Sequence, residues 1–144
     1  MENTVTEKLD THLIRRWIEA LESGKYKQGY TVLRNKNCFC IFGVLCDIYD
    51  SSKWVKSTIC FKPPFTYFSY DSDFTGDKTE KDNRISSIDA QVNIPIYLSN
   101  KIGMSEDDVE TFSIMNDSDF GITSFKQLAK ELRKFYKTNY NLEF

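Results

Sequence analysis

Cys38-Phe39-Cys40-Ile41-Phe42-Gly43-Val44-Leu45-Cys46-Asp47 is the stretch that decides the fold, because it places three cysteines, two aromatic residues and one acid in ten positions. An apolar run of this kind predicts an element at the centre of the core. We expect a strand over residues 38–42, ended by Gly43, and a short helix over residues 44–49. The core should therefore contain a strand-to-helix hinge at this point.

The sequence before this run predicts a helix and a hairpin. A helix begins at Asp10 or Thr11 and ends at Gly24, since its apolar residues recur at three- and four-residue spacing. Residues 30–34 are β-prone, and the turn-forming triplet Asn-Lys-Asn at 35–37 joins them to residues 38–42. This arrangement is typical of a β-hairpin.

The sequence after the run predicts two more strands, over residues 54–61 and 65–70, and three more helices. The helices run from Pro95 to Gly103, from Ser105 through an acidic first turn, and from residue 123 or 124 to about 136. Hairpin signals outnumber strand-helix-strand crossovers. The expected fold class is therefore α+β, with a small antiparallel sheet packed by the N-terminal and C-terminal helices.

Length and composition restrict the class of protein further. The chain has 144 residues, 40% of them hydrophobic, which predicts a single globular domain over residues 1–144 with a polar, mobile loop at about 71–84. A net charge of −2 gives no electrostatic reason to bind nucleic acid. The N-terminus shows no export signal, and the longest apolar run is far shorter than the roughly 18 residues of a membrane span. We expect a cytoplasmic protein without nucleic-acid or membrane partners.

The residue types that support catalysis or metal binding are unfavourably spaced. Cys38, Cys40, Cys46 and Cys60 lack the paired spacing of a structural zinc site. His12 is the only histidine, and nothing in the sequence brings it near a cysteine that needs a base. We therefore predict no catalytic residue, no metal and no cofactor, and a protein that is not an enzyme.

Two other segments carry residue types suited to a small ligand. Lys25, Tyr26 and Arg34 combine cations with a ring, a mixture that can hold a phosphate and stack a base. The alternative is a helix cap leading into an edge strand with surface lysines. Asn116 and Asp117 can bind hydroxyl or amide groups, and the alternative for them is a turn in which they bond their own backbone.

Three motifs together carry a resemblance. They are WIxALxSGKYxQG at residues 17–29, CxxGVLCD at 40–47, and MND at 115–117 followed by Ser124-Phe125. They resemble a family of small proteins carried by bacteriophages and prophages. The resemblance implies an anti-defence protein, in the cytoplasm of a bacterial host, that sequesters a nucleotide-derived immune signal without chemistry.

A pocket of the kind that the resemblance implies needs rings for stacking, cations for phosphate, and polar side chains for hydroxyl groups. The candidate ligand-binding residues are Lys25, Tyr26, Tyr30, Arg34, Phe39, Asn116 and Asp117. A homo-oligomer would help to enclose a small nucleotide-like ligand. Two alternatives stay open: a protein-interaction inhibitor of a host defence enzyme that uses the strand at residues 65–70, and a small nucleotide-degrading enzyme.

Overall fold

The computed structural model describes residues 9–56, 67–70, 92–117 and 123–144. Its helices within these residues are α1 Thr11–Ser23, α2 Ile41–Tyr49, α3 Ile96–Lys101, α4 Glu106–Asp117 and α5 Phe125–Tyr140. The strands are β1 Lys27–Gln28, β2 Arg34–Asn35, β3 Cys38–Phe39, β4 Trp54–Lys56 and β5 Tyr67–Tyr70, with a 3-10 turn at Ser51–Lys53. The predicted α+β class is confirmed.

The strands form one sheet in the order β1-β3-β2-β5-β4. Three pairings are antiparallel, as predicted, and β1 pairs with β3 in parallel. The predicted hairpin is present as β2 and β3, but it is shorter than expected, because Asn35 already faces Cys38 across a two-residue turn. The described part of β5 lies between β2 and β4. This is the strand that one alternative assigns to a protein interaction, and its backbone is paired on both sides.

Helix α1 begins and ends where the sequence predicts. The Oδ1 atom of Asp10 accepts a hydrogen bond of 3.0 Å from the backbone N–H of Leu13, and Gly24 ends the helix with φ +79°. One face is buried in the core and consists of Leu13, Ile14, Trp17, Ile18 and Leu21. The indole Nε1 of Trp17 donates to the carbonyl of Ile41 at 2.9 Å, which joins α1 to the start of α2.

Helix α5 also matches its prediction, and it packs against α1. Ser124 caps it, since its Oγ accepts from the N–H of Gln127 at 3.1 Å. The Arg133 guanidinium forms a two-pronged ion pair with Glu22 of α1, with N–O distances of 2.9 and 3.1 Å. The two terminal helices therefore pack against each other and the sheet, as the sequence indicated.

Helix α2 corrects the predicted hinge. Strand β3 ends at Phe39, and Ile41, Phe42 and Gly43 belong to the helix, whereas we expected a strand to residue 42 and a break at Gly43. Glycine is needed at position 43 because α2 passes close to the backbone of Leu33 here. A Cβ atom at this position would lie 1.9 Å from the carbonyl oxygen of Leu33, so the helix can pass this backbone only with a glycine here.

The remaining predictions fall partly outside the described residues. Helix α3 follows Pro95 as expected, and Ser105 caps α4, since its Oγ accepts from the N–H of Asp108 at 3.1 Å. The predicted loop at 71–84, the strand segments at 57–61 and 65–66, and Cys60 lie outside the described residues. Tyr30 and its neighbours, expected in a strand, instead precede β2 as a turn.

Candidate functional site

A cavity of about 480 Å³ lies beside helix α4. We call it the α4 cavity. Its described lining comes from α4, from the segment around α3, and from two positions near the sheet: Thr31, Cys40, Val92, Asn93, Ile94, Ile96, Ser99, Glu106, Val109, Glu110, Ser113, Asn116 and Asp117. Both apolar and polar groups occur in this lining. The size and the mixed lining are typical of a small-molecule site.

The α4 residues of this lining share one helical face. Glu106, Val109, Glu110 and Ser113 recur at three- and four-residue spacing, and Asn116 and Asp117 continue the same stripe. Glu106 and Glu110 are exposed at the mouth, whereas Asn116 is buried at the floor. The helix therefore presents a depth-ordered series of polar groups to the cavity.

Asn116 is fully engaged within the fold. Its Oδ1 accepts from the N–H of Ile41 at 3.1 Å and from the Gln28 amide at 3.2 Å, and its Nδ2 donates to the carbonyl of Gly29 at 3.0 Å. The second Nδ2 hydrogen bond goes to Asp117 at 2.9 Å. An asparagine amide has two acceptor and two donor positions, so Asn116 has none left for a ligand. It holds β1, α2 and α4 together beneath the cavity.

Asp117 differs from Asn116 because only one of its oxygens is used. Its Oδ1 accepts from the Thr31 N–H at 3.0 Å and from Asn116, whereas Oδ2 accepts no hydrogen bond from any described residue. Both Asp117 and Thr31 line the cavity. The two hydrogen bonds to Oδ1 thus fix the orientation of the carboxylate.

Electrostatics at the cavity disfavour an anion. Glu106, Glu110 and Asp117 contribute three carboxylates, and no lysine, arginine or histidine belongs to the described lining. Like charges repel, so these carboxylates disfavour a further negative charge beside them. Apolar side chains also stand at the mouth, where Ile96 is 74% exposed and Val92 is 45% exposed. The cavity suits a ligand part that is uncharged or cationic.

Cys40 lines the cavity but is a poor nucleophile. Burial raises the pKa of its thiol to about 12, so the thiolate is scarce at neutral pH. Burial likewise raises the pKa of the Cys46 thiol, which lies on α2. Cys40 and Cys46 therefore behave as small, buried core residues.

The second region is an aromatic cluster around Arg34, which we call the Arg34 cluster. The Arg34 guanidinium carbon lies 4.0 Å from the ring centroid of Phe68, 5.1 Å from that of Phe39 and 5.5 Å from that of Trp54. Tyr26 packs edge-on against Phe39, with ring centroids 5.2 Å apart. Stacking of a guanidinium on rings is a favourable cation–π arrangement. The cation that we assigned to phosphate is therefore covered on one face.

Asp47 ties this cluster together. Its Oδ2 accepts from the Tyr26 hydroxyl at 2.5 Å and its Oδ1 from the Trp54 indole at 2.9 Å. Burial, followed by the hydrogen bond to Asp47, raises the pKa of Tyr26 above its ordinary value. The Nε of Arg34 donates to the carbonyl of Lys36 at 2.7 Å. The polar groups of Asp47, Tyr26 and Trp54 are thus occupied by one another, and Arg34 is held by the Lys36 carbonyl and by the rings.

The seven predicted site residues fall into separate places. Three of them, Tyr26, Arg34 and Phe39, meet in the Arg34 cluster, whereas Asn116 and Asp117 lie at the α4 cavity. The other two are Lys25 and Tyr30, which are exposed and belong to neither group of contacts. Tyr30 directly precedes Thr31. The structure therefore does not assemble the seven residues into one pocket.

Several lining residues were missed from the sequence. Glu106 and Glu110 were assigned only to a helix N-terminus, although their spacing to Ser113 and Asp117 could have revealed a polar face. Thr31 gave no signal, because its position depends on a turn that no local pattern marks. No group of three or more His, Cys, Asp or Glu that could hold a metal occurs in the described parts of the chain. No described helix is long and apolar enough to span a membrane.

The fold is a small α+β domain with a cavity of about 480 Å³ between α4, the segment around α3, and the residues that flank the β2–β3 hairpin. A family model described as a domain of unknown function, DUF8296, matches residues 9–135, and the chain belongs to that family. No curated protein and no solved structure matches the chain.

Proposed function

We propose that this protein is a binding protein that holds a small ligand in the α4 cavity without altering it chemically. The observation that carries the proposal is the cavity itself, about 480 Å³ with a buried, fully hydrogen-bonded floor and a mixed lining. Pockets of about 300–1,000 Å³ with a few fixed polar groups are typical ligand sites. A floor held by Asn116 supports a cavity that is already formed before the ligand arrives.

The absence of an activated nucleophile at the described lining supports binding over catalysis. Cys40 is the one thiol of that lining, and burial holds its pKa at about 12. Catalysis by a thiol requires a lowered pKa or an adjacent base. The described lining includes no histidine that could act as that base.

For the biological role, we propose the anti-defence class that the sequence resemblance implies: a phage-encoded protein that sequesters a nucleotide-derived immune signal in its host's cytoplasm. Tyr30 is the predicted stacking ring that remains accessible, with half of its surface exposed beside Thr31. Tyr26 and Phe39 are committed to the Arg34 cluster. The predicted homo-oligomer belongs to this proposal and can be tested by light scattering.

The direct test is recovery of a ligand. Protein purified from phage-infected bacteria is heat-denatured, and the supernatant is analysed by mass spectrometry. We expect one small molecule at near-stoichiometric yield from the wild type and little from Ser113→Trp, which fills the cavity. Thr111→Trp is the matched control, because Thr111 is exposed on the same helix and does not line the cavity. Incubation of the recovered compound with fresh protein should leave its mass unchanged, and a changed mass would establish catalysis instead.

One observation favours a second candidate, the protein-interaction inhibitor. Ile96 and Ile114 are large apolar residues that are 74% and 61% exposed, more than most such side chains. Ile114→Asp and Ser113→Trp separate the two functions in an assay of phage growth on a defended host. If only Ser113→Trp fails to protect the phage from the host defence, capture of a ligand is supported. If only Ile114→Asp fails to do so, an interaction surface is supported.

A further inference from the structure

The segment before β2 contains an unusual turn. The backbone N–H of Val32 donates to the carbonyl of Tyr30 at 2.9 Å, and Thr31 between them has φ +72°. This hydrogen bond and this φ define the rare form of γ-turn, which is strained. A β-branched residue seldom adopts a positive φ. Such a conformation persists only where the surrounding structure fixes it, and it is most common at functional sites.

Asp117 is the group that fixes this turn. Its Oδ1 accepts from the Thr31 N–H at 3.0 Å and from the Asn116 Nδ2 at 2.9 Å. Asn116 is itself held by Gly29 and by the N–H of Ile41. A chain of hydrogen bonds that starts at the buried Asn116 therefore fixes the Asp117 carboxylate and, through it, the Thr31 backbone.

Both residues belong to the cavity lining. The Asp117 Oδ2 accepts no hydrogen bond from a described residue, and the same is true of the Thr31 hydroxyl. A carboxylate oxygen accepts only, so it selects a ligand group that donates. Glu106 and Glu110 at the mouth add negative charge, and no described lining residue offsets it.

We propose that Thr31 and Asp117 are the specificity-determining pair of the α4 cavity, and that they receive the hydroxyl-bearing nucleoside part of a nucleotide-derived ligand while its phosphates stay outside. This inference rests on the proposed function and names the part of the ligand that enters. A carboxylate is a common partner of ribose hydroxyls in nucleotide sites. The Asp117 carboxylate repels a phosphate placed beside it, whereas solvent screens a phosphate outside the cavity from the exposed Glu106 and Glu110.

The test compares probes that differ by one group. The four ribonucleosides, their 5′-monophosphates and their 2′-deoxy forms are titrated into the full-length protein by calorimetry at low and at moderate salt. We expect at least one ribonucleoside to bind, its monophosphate to bind no more tightly, and the deoxy form to bind at least tenfold more weakly. A monophosphate that binds tenfold more tightly than its nucleoside would overturn the inference.

Three variants separate a recognition role from a structural one. Asp117→Asn keeps an oxygen for Thr31 and should lower affinity for the ribonucleoside at least tenfold. Thr31→Gly removes the side chain at a φ that glycine adopts freely, so affinity should fall while the melting temperature is kept or raised. Thr31→Ser keeps the hydroxyl and should restore most of the affinity. Wild-type affinity in both Asp117→Asn and Thr31→Gly would contradict the assignment.

The outcome is distinguishable from failure of the proposed function. If none of the nucleosides or nucleotides binds, but a different small molecule is recovered from the purified protein and is lost in Ser113→Trp, the inference is wrong and the binding function stands. If nothing is recovered from the wild type, the binding function itself is wrong.

Discussion

The Arg34 cluster and the α4 cavity meet at two consecutive residues, Phe39 and Cys40. Phe39 packs beneath the Arg34 guanidinium, whereas Cys40 lines the cavity. In the cluster, both Asp47 oxygens accept hydrogen bonds from ring groups. In the cavity, Asp117 uses one oxygen and leaves the other without a described partner. The Asp47 carboxylate thus joins neighbouring parts of the fold through both oxygens, whereas the described contacts of Asp117 use only Oδ1.

This difference shows why residue types alone are a poor guide to a site. The sequence offers a ring-and-cation group and an acid-and-amide group, and both suit a nucleotide. Hydrogen-bonding capacity separates them, because a group whose donors and acceptors are already used by the protein has little left for a ligand. Changes in the two regions should therefore affect stability and binding in different proportions.

The largest expected effect is on the helix that joins the two regions. Gly43→Ala should lower the free energy of unfolding by about 3–4 kcal/mol, because the new Cβ would lie 1.9 Å from the Leu33 carbonyl oxygen. Urea unfolding measures it. Gly24→Ala is the control, since it has open space but φ +79°, and should cost only about 1 kcal/mol. Equal losses would mean that α2 does not pass Leu33 so closely.

The next effect is at the cavity floor. Asn116→Ala should lower the free energy of unfolding by about 2–3 kcal/mol, because the buried Ile41 N–H and Gly29 carbonyl lose their hydrogen-bond partner. Ligand capture should fall as well, since Asp117 loses an anchor. Asn139→Ala removes an exposed asparagine from α5 and should change stability by less than about 0.5 kcal/mol. A floor variant as stable as this control would contradict the proposed role of Asn116.

A change in the cluster should affect stability alone. Asp47→Asn should lower the free energy of unfolding by about 1–2 kcal/mol. An asparagine has only one side-chain oxygen, so either the Tyr26 hydroxyl or the Trp54 indole N–H would then face an amide N–H. Thermal unfolding and ligand recovery are measured together, with exposed Asp107→Asn as the control. If Asp47→Asn abolishes capture while the protein remains folded, the cluster belongs to the site, and the division between the two regions fails.

The smallest expected effect is a loss of stability at alkaline pH. Burial raises the pKa of Cys40 to about 12 and raises that of Cys46, from an ordinary value of 9.0. Because the unfolded chain releases these protons first, stability that is complete below pH 9 is lost as the pH rises above it. For the Cys40 thiol the loss is about 1 kcal/mol at pH 9.5, and the loss for Cys46 has the same sign.

Urea unfolding at pH 7.5 and at pH 9.5 checks this expectation, and the Cys40→Ala variant should show a smaller difference between the two conditions. The result also bears on the comparison of the two regions. If Cys40 contributes no pH dependence while Cys46 does, the cavity wall at Cys40 is open to solvent in the free protein.

Much of the fold could be predicted because its signals are local. The spacing of Leu13, Trp17 and Leu21, the cap at Ser124 and the turn at residues 36–37 all act over a few residues. Gly43 was misjudged because a glycine often breaks an element, and only its distance to Leu33 explains its place within a helix. The candidate site was predicted in part. Asp117 could be named from its residue type, whereas Thr31 could not.

The sequence by itself determined helices α1 and α5, the α+β class and the buried position of most of the 38–47 run, because amphipathic spacing and capping depend on neighbouring residues. Only the tertiary structure decided which polar groups are used by the fold. Asn116 bonds to residues 75 to 88 positions away in the chain, and Arg34 is covered by rings from three strands. Contacts over such distances depend on packing rather than on local pattern, so the cavity became visible only once the chain was folded.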